Sequence, residues 1–260
     1  MIQAINKIPY AVRLYEYNSQ YLVLSHNMKT EWHHHPCLQL TVSPHYSKIR
    51  IDTEQRPQQA YGFIVASNIK HRLHTEDEPC FNFLVDPIHP LYHLLLHKIK
   101  NSDIVYLESE SSRLIADYFV YCVQSNTSPN ILILNYWLGQ LDDCDCYLDD
   151  RIVKATTLIS ELSVKCISSH EISKRLYLSE SRFLHLFRQE MGINFRGYLL
   201  WKRFHHAFEN IHSPNSLTAL AYQSGFSDSA HLSRTCMKLY GLRPSELKNA
   251  SADFADYFSL

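Results

Sequence analysis

Between residues 20 and 86 the chain sets short apolar runs between polar or proline-containing breaks. The runs are QYLVLS (20–25), LQLTVS (38–43), SKIRID (47–52), AYGFIVAS (60–67) and CFNFLVD (80–86). Segments this short, rich in Val, Ile, Leu, Phe and Tyr, predict β-strands arranged as a small barrel or sandwich. Beyond Pro87 the apolar spacing lengthens to that of helices, in HPLYHLLLHKIK (89–100), ESSRLIADYFVYCVQSN (110–126) and SPNILILNYWLGQLDD (128–143). The acidic stretch DDCDCYLDD (142–150) reads as a linker, and everything from 151 to 248 is helical in pattern, punctuated at Gly192, Ser213-Pro214, Gly225 and Gly241. The expected class is α+β: a β-barrel with helices over residues 1–148 and an all-α domain over 149–260.

Two segments of the helical part share one organisation. In SSHEISKRLYLSESRFLHLFRQEMG a short helix precedes the Tyr177-Leu178 turn, and Ser179 caps a second helix that runs to Gly192. In SLTALAYQSGFSDSAHLSRTCMKLYG the turn is Ser224-Gly225 and the second helix ends at Gly241. Each unit is a helix-turn-helix. Phe183 with Phe187, and Leu232 with Cys236, lie four apart and face inward. The opposite faces carry Ser181, Arg182, His185 and Arg188 in one unit, and Ser229, His231, Arg234 and Lys238 in the other. Such faces suit base edges and phosphates.

Charge sharpens this reading. Residues 151–249 hold 14 Lys/Arg against 7 Asp/Glu, whereas the rest holds 11 against 19, so a net charge of −1 conceals a basic half. A basic half on a neutral chain is expected to meet a polyanion. No run approaches a membrane span. The first residues show no secretory signal, and seven cysteines without framework spacing suit a reducing cytoplasm.

The stretch LAYQSGFSDSAHLSRTCMKLYGLRPSE resembles the signature of AraC/XylS-type transcriptional regulators, through Ala221, Gly225, Phe226, Asp228, His231, Ser233, Arg234, Gly241 and Pro244. Leu176, Ser179, Phe187, Gly192, Phe195, Tyr198, Arg203 and Ala207 fit the first unit and the joining helix. Ala230, Leu232, Cys236 and Arg243 depart from the usual residues, which predicts weaker or merely positional DNA contacts in the second unit. The resemblance implies double-stranded promoter DNA as partner, RNA polymerase as a further one, an activator's role, a homodimer, and a cupin-like first domain that binds a small-molecule effector.

The first domain raises a separate question through His33-His34-His35. Metal-binding cupins show H-x-H-x(3,4)-E and a later P-x-G-x-x-H. Here Gln39 stands in the Glu place, His71 matches the later His, and Ala66 and Asn68 replace Pro and Gly. Alternation along a strand puts His33 and His35 on one side. With His71 they make three imidazoles acceptable to Zn²⁺ or Fe²⁺. The plainer expectation is no metal cofactor, with Trp32, His33, His35, Gln39, Tyr61 and His71 lining an effector pocket. A metal-responsive regulator and a metal-dependent cupin enzyme stand as alternatives, although no acid/base group has suitable spacing to a His and no nucleophile–base pair or Gly-rich phosphate loop appears. His89, His93 and His97 recur every fourth residue, as on one helix face, and Cys144 and Cys146 sit among carboxylates. An amphipathic helix edge and a solvated linker are the simpler readings of these.

Overall fold

The apolar runs fold as strands of two antiparallel sheets. A computed structural model describes residues 11–17, 20–75, 78–100, 102–138, 148–161 and 167–249. The strands are β1 (Ala11–Tyr17), β2 (Gln20–His26), β3 (Met28–Lys29), β4 (Leu38–Val42), β5 (Ile49–Thr53), β6 (Pro57–Ala60), β7 (Gly62–Val65), β8 (His71–Thr75) and β9 (Cys80–Val85). Helix α1 (Pro90–Ile99), strand β10 (Ile104–Tyr106), and helices α2 (Ser109–Ser125) and α3 (Ile131–Trp137) complete this half. One sheet has the order β1-β2-β9-β4-β7-β10, the other β3-β8-β5-β6.

The larger sheet is covered on both faces, which is why β2, β4, β7 and β9 are buried along their whole lengths. Leu22, Leu24, Leu38, Leu40, Val42, Ile64, Phe81 and Phe83 point to one side and pack on α1, α2 and α3 through Leu91, Leu95, Ile115 and Phe119. The alternate positions point between the sheets. There Phe63, Val65, Ile49, Ile51 and Leu73 form a small apolar core. Gln39, Thr41, Asn82 and Ser25 instead leave a polar stripe, all buried.

Asp52 on β5 fastens the smaller sheet. It is 2% exposed and accepts from Arg50 Nε at 2.9 Å, Arg72 Nε at 2.7 Å and His74 Nε2 at 2.9 Å. Burial pushes its pKa up, but these three donors outweigh burial and hold it below the ordinary carboxylate range. A depressed folded pKa gives stability that is present above the unfolded value and lost as pH falls. Asp52→Asn should therefore cost roughly 1–3 kcal/mol near neutral pH, discounted for the half-exposed arginines, and progressively less below about pH 4. Urea melts of both proteins at neutral and acid pH check this; an equal loss at both would contradict it.

The second half comprises α4 (Asp150–Glu161), α5 (Ser169–Arg175), α6 (Glu180–Met191), α7 (Phe195–Glu209), α8 (Leu217–Gln223), α9 (Ser229–Tyr240) and α10 (Pro244–Asn249). The acidic linker with Cys144 and Cys146 lies outside the described residues up to residue 147. Helix α7 is the spine. Asn194 caps it by accepting from Gly197 N at 2.8 Å, and its Tyr198, Trp201, Phe204 and Phe208 are buried. This core does not stop at the domain boundary, because Tyr21, Val23, Met28, Cys37 and Leu84 of the sandwich belong to the same buried cluster.

Candidate functional site

Each helix-turn-helix is built from local signals. In the first, Ser168 caps α5 by accepting from Glu171 N at 3.1 Å, and Ser179 caps α6 by accepting from Arg182 N at 3.3 Å. The turn between them needs Tyr177 at φ 56°, and this residue is 94% exposed. Phe183 and Phe187 are fully buried against Phe195, with ring centroids 5.1 and 5.4 Å away. Ser181, Arg182, His185 and Arg188 are exposed, as the helical spacing predicts.

The second unit repeats the plan. Ser216 caps α8, and Asp228 caps α9 by accepting from His231 N at 2.7 Å. Gly225 at φ 80° makes the turn. Leu232 and Cys236 are buried, so the two departures from phenylalanine sit in the core. Arg234 and Lys238 are exposed, whereas Ser229 and His231 are half-buried. The His231 ring stands edge-on to Phe226, and its Nδ1 lies 3.2 Å from Ser227 Oγ. The sequence-read faces thus form two separate exposed helix surfaces, and the N-terminal amides of α6 and α9 are engaged by Ser179 and Asp228.

The sandwich holds the second site, a small cavity of about 30 Å³ that is partly open to solvent. Val23, Met28, Leu73 and Leu84 make its apolar side, and Ser25, Thr30, Thr75, Gln39, Asn82, His33 and His35 its polar side. Tyr240 and Leu242 close it from the helical half. A chain of hydrogen bonds orders the polar side. Gln39 Nε2 donates to Thr41 Oγ1 at 2.8 Å and to Asn82 Oδ1 at 3.1 Å, and Asn82 Nδ2 donates to Ser25 Oγ at 3.2 Å. Gln39 Oε1 is thereby turned to His35 Nε2 at 2.8 Å. An amide oxygen only accepts, so His35 carries its proton on Nε2. Cys37 Sγ lies 3.1 Å from His35 Nδ1 and donates to it.

His33, His35 and His71 converge here, buried to 4%, 2% and 0% exposure. His33 and His71 are bridged to each other backbone to backbone, each N–H donating to the other's carbonyl at 3.0 Å. One nitrogen of each of the three rings lies within 4.8 Å of the others, and among the described residues no other such His, Cys, Asp or Glu group occurs. Burial holds all three below the ordinary histidine range, His33 down to about 3 with help from the neighbouring His35. The imidazoles are neutral at physiological pH.

Three expectations change. Trp32 is 36% exposed under Lys70 and Arg72, and Tyr61 is 37% exposed under Lys48, so neither lines the cavity. Trp32 lies between β3 and β4 and Tyr61 between β6 and β7, so strand alternation sets the direction of neither. His89 is not on a helix face with His93 and His97: it is the N-cap of α1, accepting from Leu91 N at 3.1 Å. The feature that sequence reading missed is the seam between domains. Glu31 N donates to Gly241 O at 2.8 Å and His34 N donates to Lys238 O at 3.0 Å. The segment bearing the histidines therefore satisfies the open carbonyls at the C-terminus of α9. Gly241 sits at φ 66°, and a Cβ there would lie 2.2 Å from Glu31 O. The glycine just past a predicted helix end was the one signal available, and it is explained equally well by a helix cap.

Comparison with known proteins agrees with this geometry. Residues 172–250 match the family described as a helix-turn-helix domain. Over 82 residues the chain is 35% identical to the probable transcriptional regulator LumQ of Photobacterium leiognathi, covering 31% of this chain and about a third (33%) of that protein. ToxT from Vibrio cholerae O395 superposes with a TM-score of 0.57 at 10% identity, over 90% of this chain and all of that one (100%). Unsaturated fatty acid bound wild-type ToxT from Vibrio cholerae strain SCE256 superposes at 0.55 with 12% identity, over 92% and 98%. These two likenesses establish a shared two-domain fold.

Proposed function

We propose that this chain, whose residues 172–250 are an AraC-type helix-turn-helix domain, is a sequence-specific DNA-binding transcriptional regulator with a small-molecule sensor as its first domain. The observation that carries the reading is the pair of capped helices α6 and α9, each buried on one face and polar or cationic on the other. Mounted on one helix, α7, they enter successive major grooves on one face of promoter DNA. Arg182, Arg188, Arg234 and Lys238 contact phosphate or guanine, and Ser181, His185, Ser229 and His231 tune the choice of base. Acting on promoter DNA beside RNA polymerase places the protein in the cytoplasm.

The effector occupies the cavity between the sheet and the end of α9. Its lining of aliphatic side chains with one polar wall suits a ligand with an apolar body and a hydrogen-bonding end, as ToxT from Vibrio cholerae is found bound to an unsaturated fatty acid. Because Tyr240 and Leu242 close the cavity, a ligand touches the end of α9 directly. It shifts DNA affinity only as far as it binds two domain arrangements unequally. Leu132, Tyr136 and Tyr121, at 73%, 65% and 59% exposure on α2 and α3, supply the apolar face for a homodimer.

The test is a gel shift on the DNA upstream of the protein's own gene against a scrambled duplex. Binding at least roughly 10³-fold tighter to the former is expected. Equal affinity for both would remove the regulator reading. A ligand screen on the resulting complex then identifies the effector.

A further inference from the structure

His33 and His35 line the cavity, whereas His71, expected there too, is not part of its lining and packs against the other two rings. His33 Nδ1 lies 2.9 Å from Glu31 O, and His71 Nδ1 lies 2.8 Å from Ile69 O. A carbonyl only accepts, so both rings hold their proton on Nδ1 and present Nε2 as a bare lone pair. Nε2 of His71 is fully buried and has no hydrogen-bond partner, an arrangement that ordinarily costs free energy. Metal-bound histidines are oriented in this way, the outer nitrogen donating to a carbonyl and the inner one left for the metal. The third ring, His35, has Cys37 O at 3.2 Å from its Nδ1, ready to accept the same kind of bond.

We infer that His33, His35 and His71 form a binding site for one divalent transition-metal ion, of the zinc or ferrous class, and that its occupancy acts on the recognition helix α9. This rests on the DNA-binding reading for its second half alone. Three neutral imidazoles are a sufficient protein ligand set for such an ion, with a further position left for water or effector. Tetrahedral coordination needs nitrogens about 3.3 Å apart, so the rings must draw together from their present separations of up to 4.8 Å. His35 joins by moving its proton from Nε2 to Nδ1, where the Cys37 carbonyl accepts it, while Gln39 releases Nε2. No proton leaves the site.

The contraction cannot stay local. Glu31 and His34, on either side of His33, are the residues whose N–H groups hold Gly241 O and Lys238 O at the end of α9. His71 is tied to His33 through both backbone hydrogen bonds, so drawing the three rings inward moves the segment that α9 rests on. Lys238, one of the cationic residues of the recognition face, is on the last turn that this segment caps.

Cobalt(II) titration of the purified full chain, followed by visible d–d absorption, tests the site. One equivalent should bind with the intense absorption of a four- or five-coordinate ion. Affinity should fall roughly 100-fold in His71→Ala and, separately, in His33→Ala, but stay unchanged in His45→Ala, an exposed histidine elsewhere on the sandwich. If one variant fails to fold, the other decides. A rise in the melting temperature of the wild type with added zinc is a further readout, absent in whichever histidine variant folds. No cobalt binding at micromolar concentration, or binding retained in His71→Ala or His33→Ala, overturns the site. DNA affinity measured with and without zinc should then differ in the wild type and not in the variants. Metal bound with unchanged DNA affinity overturns the coupling. Absence of sequence-specific DNA binding in both forms instead removes the regulator reading and leaves the cobalt result standing.

Discussion

Gly241→Ala is expected to destabilise the chain by about 3–4 kcal/mol, against about 1–2 kcal/mol for Gly192→Ala. Both glycines end a second helix of a helix-turn-helix, at φ 66° and φ 64°, and a side chain in that left-handed region costs about 1–2 kcal/mol at either place. The surroundings differ. Around Gly192 nothing lies within 4 Å of an added Cβ, whereas at Gly241 the Cβ would meet the O, N and C atoms of Glu31 at 2.2, 2.8 and 2.9 Å. These are backbone atoms that cannot turn aside, so the segment must retreat. It then gives up the two hydrogen bonds from Glu31 N and His34 N, each contributing about 1 kcal/mol net. Denaturant unfolding of the two variants and the wild type measures the difference. Equal losses would show that the seam does not exist in solution. Effector or metal control of DNA affinity should also weaken in Gly241→Ala, since that contact joins the cavity wall to α9.

The second large effect concerns the cations proposed to contact DNA. Removing Arg182, Arg188 and Arg234 together should flatten the slope of log K against log salt by about 2.7, since each phosphate contact contributes about 0.9. The same triple change should lower affinity for both operator and scrambled DNA, because phosphate contacts carry no sequence information. A loss confined to the operator would instead assign the arginines to base edges. All three are exposed. An unchanged slope would be incompatible with α6 and α9 as the DNA-reading helices.

How much of this could be read in advance follows from how local each cause is. The helix-turn-helix units were legible because their determinants are neighbours in sequence. Ser179 caps the helix that begins at Glu180, and Phe183 and Phe187 share a face by helical spacing alone. The strands buried on both faces were equally visible as continuous apolar runs. Strands β6 and β8 were not, because PQQA is polar and mostly exposed, and HRLHT buries His71 and Thr75 beside a single leucine. Their strand character comes from pairing with β5.

The same distinction governs the cavity. The grouping of His33, His35 and His71 was accessible from the spacing of two histidines and one later histidine, although the first two lie before β4 and not on it. The meaning of Gln39 was not. Read alone it is a lost carboxylate ligand, but in the fold its amide links His35 to Thr41 and Asn82, forty-three residues further along. Trp32 and Tyr61 were misread because proximity in sequence to a pocket residue says nothing of direction once the strand is interrupted.

By itself, then, the sequence determined the class of each half, the two polar helix faces and the grouping of the three histidines, because helical period, caps and short residue spacings act over a few residues. Only the tertiary structure decided that these sites touch. The hydrogen bonds from Glu31 and His34 to the end of α9 join residues about two hundred positions apart, and backbone groups that pair across such distances leave no pattern in the side chains.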